Sequence, residues 1–561
     1  MEAVLGLLCA LILAALLAVV LASVVLRYVF HTGVVGVEEL CIWLHVALIA
    51  LGMPLTLNGA LAMRMDLFSR SLPVRFRQLG GDTFSVAAAR VLVSGSHELM
   101  RLLGGTSPML GLPEWVRFGF LGGGGLLLLV ALFLQRVAEG RLVPVLLSLG
   151  VGATVYLAVP HLVVGTSLPP SLFLAFVAGL GLLAGAPLPH AFLAAAYVAI
   201  AFGGSLPEPA IVSTAVSGMS RFLLLSIPFF LLAGGLLTAS GAAGRLVRLA
   251  EALVGHRRAG LAQTTLLSGV FFSGASGSSV ANAAFGASTF YPELVRNGYP
   301  PQKAGAIIAA SSLPVGPLLV GGVFAGGLMA ACLAVAIHVC VDEGSSSLPA
   351  SGEVRRSAAA AALPALGLGV IVVAGIRLGV VTTTEAAAVA AFYALALGLT
   401  AATRTGPLWS TFRCAATEAA AIGLLIGSAG PFAALLAMDD IAGAVAQVVS
   451  SLGGGALAVL LLSNVVLLAL GLVLDIGAAI LLLGPILLPA AVSAGIDPIQ
   501  FGVIVVVNLM IHGLTPPLGM LVYVVGGVTG VPAQALFRAV LPYLAALLLS
   551  LFLLSAYALL S

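Results

Sequence analysis

The feature that most limits how this chain can fold is a long stretch near its beginning that has no charged side chain. Residues 4–26 are leucine, alanine, valine and other apolar or small residues. A helix needs about 20 consecutive apolar residues to cross the hydrocarbon core of a bilayer. This stretch is long enough to do so, and because it lacks a clear cleavage site it is predicted to be a membrane span rather than a cleaved signal peptide.

Comparable apolar stretches recur along the chain, and the composition agrees with them. Of the 561 residues, 61% are hydrophobic and only 8% are charged. One soluble core cannot bury that much apolar surface, so the chain must use lipid as its solvent. The sequence therefore predicts an all-α polytopic membrane protein with roughly sixteen membrane segments.

Arginine positions indicate the orientation of a first block of four spans. The predicted spans are residues 4–26, 40–57, 84–103 and 118–133. The connection between the second and third spans contains Arg64, Arg70, Arg75 and Arg77. Since basic residues mark the cytoplasmic side, this connection, the N-terminus and the end of the block are predicted to be cytoplasmic.

A helix at residues 143–159 is predicted to connect this block to the rest of the chain. Further crossings are predicted at residues 168–183, 192–202 and 222–237, after which the chain reaches Arg245, Arg248, Arg257 and Arg258. These arginines also mark the cytoplasm. The chain can return to the cytoplasmic side at this point only if residues 143–159 span the membrane and make the number of crossings even. The helix would therefore be a connector that corrects the parity of membrane crossings between two units.

A polar, glycine-rich interruption lies between residues 266 and 290. Mostly apolar residues 266–272 lead into six consecutive small residues, Gly274 to Ser279, three of which are serines. At membrane depth such a backbone is tolerated only inside protein or along a cavity, where interrupted helices can hold ions. We predict a re-entrant helical hairpin with a cation site at its turn, rather than small residues that merely allow close helix packing.

A second interruption has the same pattern near residues 501–525. Apolar residues 501–507 precede Gly513-Leu514-Thr515-Pro516-Pro517, and apolar residues resume at 520–525. Proline removes a backbone donor and leaves carbonyl groups free for a cation. Paired interruptions in two halves of a chain indicate a transporter built from inverted repeats, so a second hairpin is predicted here.

The oxygen-bearing residues of these interruptions are the candidate ligands, because hard cations prefer carbonyl, hydroxyl and carboxylate oxygens. Asp475 joins them as an acid in an apolar run, where a charge is costly unless coordinated, although it could also cap a helix end. The predicted cation-binding residues are Ser276, Gly277, Ser278, Asp475, Gly513, Thr515 and Pro516. Asn282, Asn508 and Thr515 could complete the coordination or bind substrate, and the predicted substrate-binding residues also include Ser279 and Pro517.

Short motifs in both parts of the chain resemble the membrane subunits of tripartite ATP-independent periplasmic (TRAP) transporters. The first block resembles the small subunit at Arg27-Tyr28-Val29-Phe30, Glu38-Glu39, Met65-Asp66 and Leu112-Pro113-Glu114-Trp115. The later part resembles the large subunit at Ser226-Ile227-Pro228-Phe229-Phe230, Ala252-Leu253-Val254-Gly255-His256, Gly495-Ile496-Asp497-Pro498 and Gly513-Leu514-Thr515-Pro516-Pro517. Thr384 lies in a further motif of that subunit, Thr382 to Ala387, and is added as a substrate-binding residue on this resemblance. The chain departs from the family by a shortened segment after Pro317.

The resemblance implies a natural fusion of the two subunits. Residues 1–139 would be a four-helix scaffold, residues 140–165 the connector and residues 166–561 the transport unit. The implied protein is an elevator-type secondary transporter in the bacterial inner membrane, not an enzyme. It would use sodium as coupling ion and no other cofactor. Its partners would be a periplasmic substrate-binding protein, the organic acid that this protein delivers, and membrane lipid, but no nucleic acid.

Two other functional classes are compatible with parts of the sequence. Gly274-Ala275-Ser276-Gly277 also resembles the serine motif of an intramembrane protease, with His512 or His338 as base. No histidine is followed by asparagine at the His-x-x-x-Asn spacing that would supply oxyanion donors. A membrane scaffold without transport activity would explain the first block but not two polar interruptions and Asp475. The chain also lacks a G-x-x-x-x-G-K-[ST] loop, which favours gradient coupling over ATP hydrolysis.

Overall fold

The structure, a computed structural model, describes residues 2–57, 74–162, 168–276, 279–313, 321–341, 349–400, 405–440, 447, 455–471, 476–515 and 519–560. Every regular element in these ranges is a helix, and the only β-type pairing there is an isolated bridge between Thr106 and Pro113. The predicted all-α class is therefore confirmed.

The helices follow one another along the chain with short connections. They are α1 (Glu2–Tyr28), α2 (Val37–Gly52), α3 (Val74–Leu102), α4 (Trp115–Ala138), α5 (Leu142–Ala158), α6 (Pro170–Leu183), α7 (Leu188–Val198), α8 (Glu208–Met219), α9 (Ser226–Ala239), α10 (Ala242–Val254), α11 (Gly260–Ser276), α12 (Ser279–Thr289), α13 (Tyr291–Arg296), α14 (Pro301–Ser311), α15 (Gly321–Cys340), α16 (Gly352–Arg377), α17 (Thr383–Thr400), α18 (Thr405–Met438), α19 (Ala456–Gly471), α20 (Ile476–Ser493), α21 (Pro498–Ile511), α22 (Met520–Thr529) and α23 (Ala533–Leu560). Short 3₁₀ helices cover Met53–Leu57, Val159–His161, Ala199–Phe202 and Phe222–Leu225.

Several described helices meet the length and hydropathy that a membrane crossing requires. Six do so as single helices, and a bent pair within α16 would make a seventh. Eight shorter apolar helices of 10–17 residues accompany them. These helices agree with a polytopic membrane protein, while the total of roughly sixteen segments stays a prediction.

The chain packs into two compact units. The first contains Met1–Phe229, Phe412–Ala446 and Leu481–Ile486, and the second contains Phe230–Thr411, Gln447–Ile480 and Leu487–Ser561. These units are defined by packing and each combines distant segments of the chain. The boundaries predicted at residues 139 and 165 divide the chain along its sequence, and they stay a prediction.

Helix α3 is the centre of the first unit, where it contacts α4, α5, α7 and α8. Glycines allow these close contacts, since a Cβ added at Gly125 of α4 would lie 3.0 Å from the carbonyl oxygen of Ala89 of α3. The helix starts well before the predicted span at residue 84, because a helix can continue past the apolar window through polar residues that hydropathy excludes. One of these residues, Asp82, forms an ion pair with Arg136 of α4.

Candidate functional site

The first polar interruption is a pair of helices that pack against each other. α11 ends at Ser276, α12 begins at Ser279, and the two helices are in contact. The Asn282 side chain donates a hydrogen bond from Nδ2 to the Gly269 carbonyl oxygen at 3.1 Å. This bond ties the returning helix to the entering one, as the predicted hairpin requires.

Helix α14 supports the hairpin from one side. It packs against both α11 and α12. A Cβ at Gly269 would collide with the carbonyl oxygen of Ser311 at the end of α14, so glycine is needed for this close approach. The amide group of Asn282 is thus used within a tightly packed hairpin, and its predicted contact with substrate stays a prediction.

The second interruption is a break between two helices. α21 ends at Ile511 and α22 begins at Met520. α21 contacts α15, α19 and α23, and α22 contacts α12, α14 and α23. Both arms therefore pack against α23. The predicted second hairpin stays a prediction, because residues 516–518 lie outside the described residues.

Hydrogen bonds within this break organise the predicted ligands Gly513 and Thr515. The Gly513 carbonyl accepts a hydrogen bond from the Leu521 N–H at 3.0 Å, and the Thr515 carbonyl accepts one from the Gly519 N–H at 2.9 Å. The Thr515 hydroxyl donates to the Ile511 carbonyl oxygen at 2.9 Å. Because its hydrogen is used in this way, the hydroxyl lone pairs are available to accept a donor or coordinate a cation.

The structure brings the two interruptions close to each other through α22. This helix leaves the second break and packs against α12, which leaves the first turn. The sequence had treated the interruptions only as equivalent positions in two halves. Their exit helices are neighbours in the second unit, as a shared site would require.

A neutral polar network lies beside the second break. Asn508 Nδ2 donates to Asn464 Oδ1 at 2.7 Å, and Asn464 Nδ2 donates to Ser555 Oγ at 3.2 Å. Asn508 is completely buried, and its Oδ1 atom has no hydrogen-bond partner among the described residues. A buried acceptor without a partner is energetically costly, which makes Asn508 a strong candidate for a ligand contact.

Asn464 is the network residue that the sequence interpretation missed. It is the amide in the middle of the apolar helix α19. The reasoning that selected Asp475, a polar side chain in an apolar run, would also have selected Asn464.

The motif that contains Thr384 has a structural role at the start of a helix, which the family resemblance did not suggest. The Thr382 N–H donates to Glu385 Oε2 at 2.8 Å, and the Glu385 N–H donates to Thr382 Oγ1 at 3.3 Å. This reciprocal pair is a capping box at the start of α17, with the expected Thr-x-x-Glu spacing. Thr384 lies buried inside that first turn, so its predicted substrate contact stays a prediction.

Other predicted site residues lie wholly or partly outside the described part of the chain. Gly277, Ser278, Asp475, Pro516 and Pro517 lie outside the described residues, as do residues 314–320, where the shortened segment begins. Ser276 is described as the last residue of α11 by its backbone, and Ser279 is the half-buried first residue of α12.

Comparison with known proteins identifies both parts of the chain. The family model of the TRAP transporter DctQ component matches residues 16–141, and that of the DctM component matches residues 173–314 and 312–560. The chain belongs to the TRAP transporter permease family. It joins the small and the large component, as the motifs predicted, and it is an integral multi-pass membrane protein of a family found in the bacterial inner membrane.

Curated relatives include fused and separate permeases. The isethionate TRAP transporter permease protein DctMQ of Oleidesulfovibrio alaskensis is 31% identical over 552 residues, which cover 93% of this chain and 87% of that protein. The C4-dicarboxylate large permease protein DctM of Pseudomonas aeruginosa is 37% identical and covers 58% of this chain and 82% of its own length. The sialic acid large permease protein SiaM of Vibrio cholerae is 33% identical and covers 61% of this chain and 86% of its own length.

These relatives make the protease alternative wrong, because TRAP permeases are transporters rather than enzymes. The geometry of His512 agrees with this conclusion. Its Nδ1 lies 3.1 Å from the Leu509 carbonyl oxygen and its Nε2 lies 3.0 Å from the Leu468 carbonyl oxygen. With both ring nitrogens at backbone acceptors, the imidazole of this TRAP permease is not placed to take a proton from a serine.

Proposed function

We propose that this TRAP permease imports a small organic anion delivered by a separate periplasmic substrate-binding protein, and that an inward sodium gradient drives the import. The observation that carries the proposal is the match of both permease components along one chain. The relatives are named for isethionate, C4-dicarboxylates and sialic acid, which are all small organic anions. An organic acid is therefore the substrate class that we assign to this chain.

Oxygen atoms at the two interruptions would hold the sodium ion. The Thr515 hydroxyl supports this assignment, since its hydrogen is donated to Ile511 and its lone pairs are left for a cation. Hard cations favour such hydroxyl, carbonyl and carboxylate donors. The other proposed ligands are Ser276, Gly277, Ser278, Asp475, Gly513 and Pro516.

The substrate contacts proposed from the sequence can be refined at Asn508. Its Nδ2 is used by Asn464, so the atom left over is the acceptor Oδ1. An acceptor would repel the carboxylate of an organic acid but would bind a hydroxyl or N–H donor of the substrate, or a cation. We therefore assign Asn508 to a donor group of the substrate or to the cation shell, with Ser279, Asn282, Thr384 and Pro517 as the further substrate contacts.

The transport cycle we propose uses the fused architecture. Residues 1–139 form the scaffold, residues 140–165 the connector and residues 166–561 the unit that carries the substrate in an elevator-type movement. The N-terminus is assigned to the cytoplasm from the arginine distribution. Single cysteines placed in the connection containing Arg70 and in the connection between α10 and α11, which contains Arg257, should both react with an impermeant thiol reagent from the cytoplasmic side only. Labelling of the two from opposite sides would contradict the connector assignment.

Uptake into proteoliposomes tests the proposed function directly. The binding protein encoded beside this chain is first screened for the ligand that it retains, and that radiolabelled ligand is then offered with sodium or potassium outside. Uptake is expected only with external sodium and with the binding protein present. Equal uptake with potassium would contradict sodium coupling, and equal uptake without the binding protein would contradict the delivery step.

A further inference from the structure

The carboxyl group of Glu418 lies in the part of α18 that belongs to the first unit. Residues 408–438 of this helix are long and apolar enough to cross a bilayer, and Arg413 and Glu418 are their only charged side chains. Glu418 is half-buried, and it is neither a proposed cation ligand nor a proposed substrate contact. Acids inside membrane spans are rare and usually functional, so the surroundings of Glu418 decide what it can bind.

Two apolar helices of the same unit show the depth of Glu418. A Cβ added at Gly6 of α1 would lie 2.9 Å from Cδ of Arg413, and one added at Gly52 of α2 would collide with Ala420. Gly6 and Gly52 belong to helices that themselves meet the requirements of a membrane crossing. Glu418 lies between these two contacts along α18, and therefore at a level where the neighbouring helices are apolar spans.

The same contacts place Glu418 on the opposite face of α18 from α1 and α2. Gly423 also faces α2, because a Cβ there would lie 2.5 Å from Cδ1 of Ile49. Successive residues of an α-helix are about 100° apart around its axis, so Arg413, Ala420 and Gly423 all lie roughly 140° to 220° away from Glu418. The acid therefore points outward, and the outward side of a spanning helix meets lipid rather than water.

The titratable groups of the two neighbouring helices are on the far side. Cys9 of α1 lies beside Gly52, and its thiol donates to the Leu48 carbonyl oxygen at 4.0 Å. His45 of α2 lies beside Gly423, where an added Cβ would be 3.9 Å from its Nε2. Neither group acts on the charge of Glu418.

No basic side chain of the described residues pairs with Glu418. Side chains three and four positions away meet on a helix, and here they are Cys414, Ala415, Ala421 and Ile422. The Cys414 thiol donates to Glu418 Oε1, with sulfur and oxygen 3.7 Å apart. Arg413 is five positions away, and its side chain lies on α1. The only partner of the acid is thus a weak, neutral donor.

The charged residues that lie outside the described part of the chain and near these helices in sequence are Arg404, Arg64, Asp66 and Arg70. Arg404 is fourteen residues before Glu418, about 21 Å along a helix. The other three follow α2, which packs on the opposite face of α18. A basic residue that did pair with Glu418 would keep it ionised at neutral pH, and the labelling experiment below would reveal this.

The energetics favour the protonated acid. An ionised carboxylate at this level would have no countercharge, and a charge taken out of water without compensation neutralises instead. Asp82 of the same unit is also buried, but it pairs with the Arg136 guanidinium at 2.7 Å. Glu418 has no such partner among the described residues, so a bound proton is what removes its charge.

We propose that Glu418 is a proton-binding site of the permease and is protonated at neutral pH, with one carboxyl oxygen carrying the proton and Oε1 accepting the Cys414 thiol. The site is additional to the proposed sodium and substrate sites and does not rest on them. Deprotonation would place a charge at an apolar level of the first unit. Uptake should therefore weaken as the pH rises through the range in which the proton is lost.

Dicyclohexylcarbodiimide reports the proton directly, because it reacts with protonated carboxyl groups and enters apolar surroundings. The full-length permease in phosphatidylcholine nanodiscs is treated at about pH 5 to 9, and each acid is followed by peptide mass spectrometry. Glu418 should react at neutral pH, with a rate that falls as the pH rises. The reference acid Glu139, 34% exposed and paired with Arg136 and Arg141, should not react at neutral pH. Reaction of Glu418 only below about pH 5, as for a solvated carboxyl group, would overturn the proposal.

Stability against pH tests the proton without requiring the reagent to reach Glu418. Glu418→Gln replaces the protonated acid by a neutral group of the same shape. An acid that keeps its proton in the folded protein and loses it on unfolding stabilises the fold at acidic pH, and this contribution is lost as the pH rises. The thermal midpoints of wild type and Glu418→Gln should therefore agree at acidic pH, and the wild type should fall increasingly below the variant toward alkaline pH. A difference that does not change with pH would overturn the proposal.

Uptake into proteoliposomes tests the functional consequence. Sodium-driven uptake by the wild type should decrease when the pH on both sides is raised from neutral to alkaline, whereas uptake by Glu418→Gln should change much less. The same pH dependence in both proteins would overturn the link between this proton and transport. Absence of sodium-driven uptake in both proteins would instead contradict the proposed function, while the labelling result would stand.

Discussion

The two units each contain a buried polar network, and the two networks are built in opposite ways. In the first unit, the Arg136 guanidinium donates from Nε and Nη2 to both carboxylate oxygens of Asp82, each at 2.7 Å, and from Nη1 to Glu139 at 3.2 Å. Arg141 in turn donates to Glu139 at 2.8 Å. The charges compensate one another, and the bidentate geometry is that of a strong pair.

The network of Asn464, Asn508 and Ser555 in the second unit carries no formal charge and is incomplete. Asn508 Oδ1 is buried with no hydrogen-bond partner among the described residues. A complete network rigidifies its surroundings, whereas an incomplete one leaves an atom that a ligand can satisfy. The comparison teaches that burial of polar groups alone does not mark a site, because a buried network can be closed, as around Arg136, or keep an acceptor atom without a partner, as at Asn508.

The largest effect is expected from breaking the charged network. Arg136→Met leaves the Asp82 carboxylate buried without its partner and should destabilise the protein by about 3 to 5 kcal/mol. Thermal unfolding in detergent, followed by size-exclusion chromatography, measures this loss. The matched control, Arg136→Met combined with Asp82→Leu, removes both charges and should recover most of the stability. A single variant as stable as the wild type would show that the pair is not a closed buried network.

The next largest effect is expected at Asp475, the one carboxylate among the proposed cation ligands. Asp475→Asn should weaken sodium binding by about 1.5 to 3 kcal/mol, the value of an interaction with a charged group, while the protein remains folded. The sodium concentration for half-maximal uptake, measured in proteoliposomes, would rise by at least about tenfold. Asparagine caps helices nearly as well as aspartate, so an unchanged sodium curve would assign Asp475 to capping instead.

Local features of the sequence predicted most of the fold. The predicted span at residues 118–133 lies within α4, and the one at residues 143–159 matches α5 except that it ends one residue later. Such spans can be predicted because hydropathy is a property of the segment itself. The capping box of Thr382 and Glu385 was also readable from its spacing, although the family motif drew attention to Thr384 instead. The predicted start of α3 was too late because its first turns are polar.

Contacts between distant parts of the chain could not be predicted in the same way. Asn464 and Asn508 are 44 residues apart, and nothing in either segment specifies that they meet. The packing of α22 against α12, which makes the exit helices of the two interruptions neighbours, depends on the surfaces of several helices at once. The sequence therefore indicated which residues could bind a ligand but not which of their atoms remain available.

A smaller effect is expected at Asn508, where substitution tests whether the network of Asn464, Asn508 and Ser555 contacts a ligand. Asn508→Ala removes the unsatisfied acceptor, whereas Asn464→Ala removes its neighbour and keeps Asn508 Oδ1. Both variants lose a hydrogen bond worth about 1 kcal/mol of stability. Only Asn508→Ala should also lower kcat/KM for uptake, by roughly the tenfold that corresponds to about 1.4 kcal/mol. Equal losses of uptake in the two variants would mean that the network is structural, like the one around Arg136.

The smallest effect is expected at Thr515, where a neutral hydroxyl is one of several proposed cation ligands. Thr515→Val keeps the shape of the side chain but removes the oxygen that donates to Ile511, so it should weaken sodium binding by about 0.5 to 1.5 kcal/mol. The matched control Thr515→Ser keeps the oxygen and should have a nearly normal sodium curve for uptake. Thr515→Val loses the hydroxyl and Thr515→Ser loses the methyl group, so the difference between the two variants isolates the effect of the hydroxyl. If Thr515→Ser shifts the sodium curve as far as Thr515→Val does, the oxygen is not a ligand and the break contributes to transport through its shape alone.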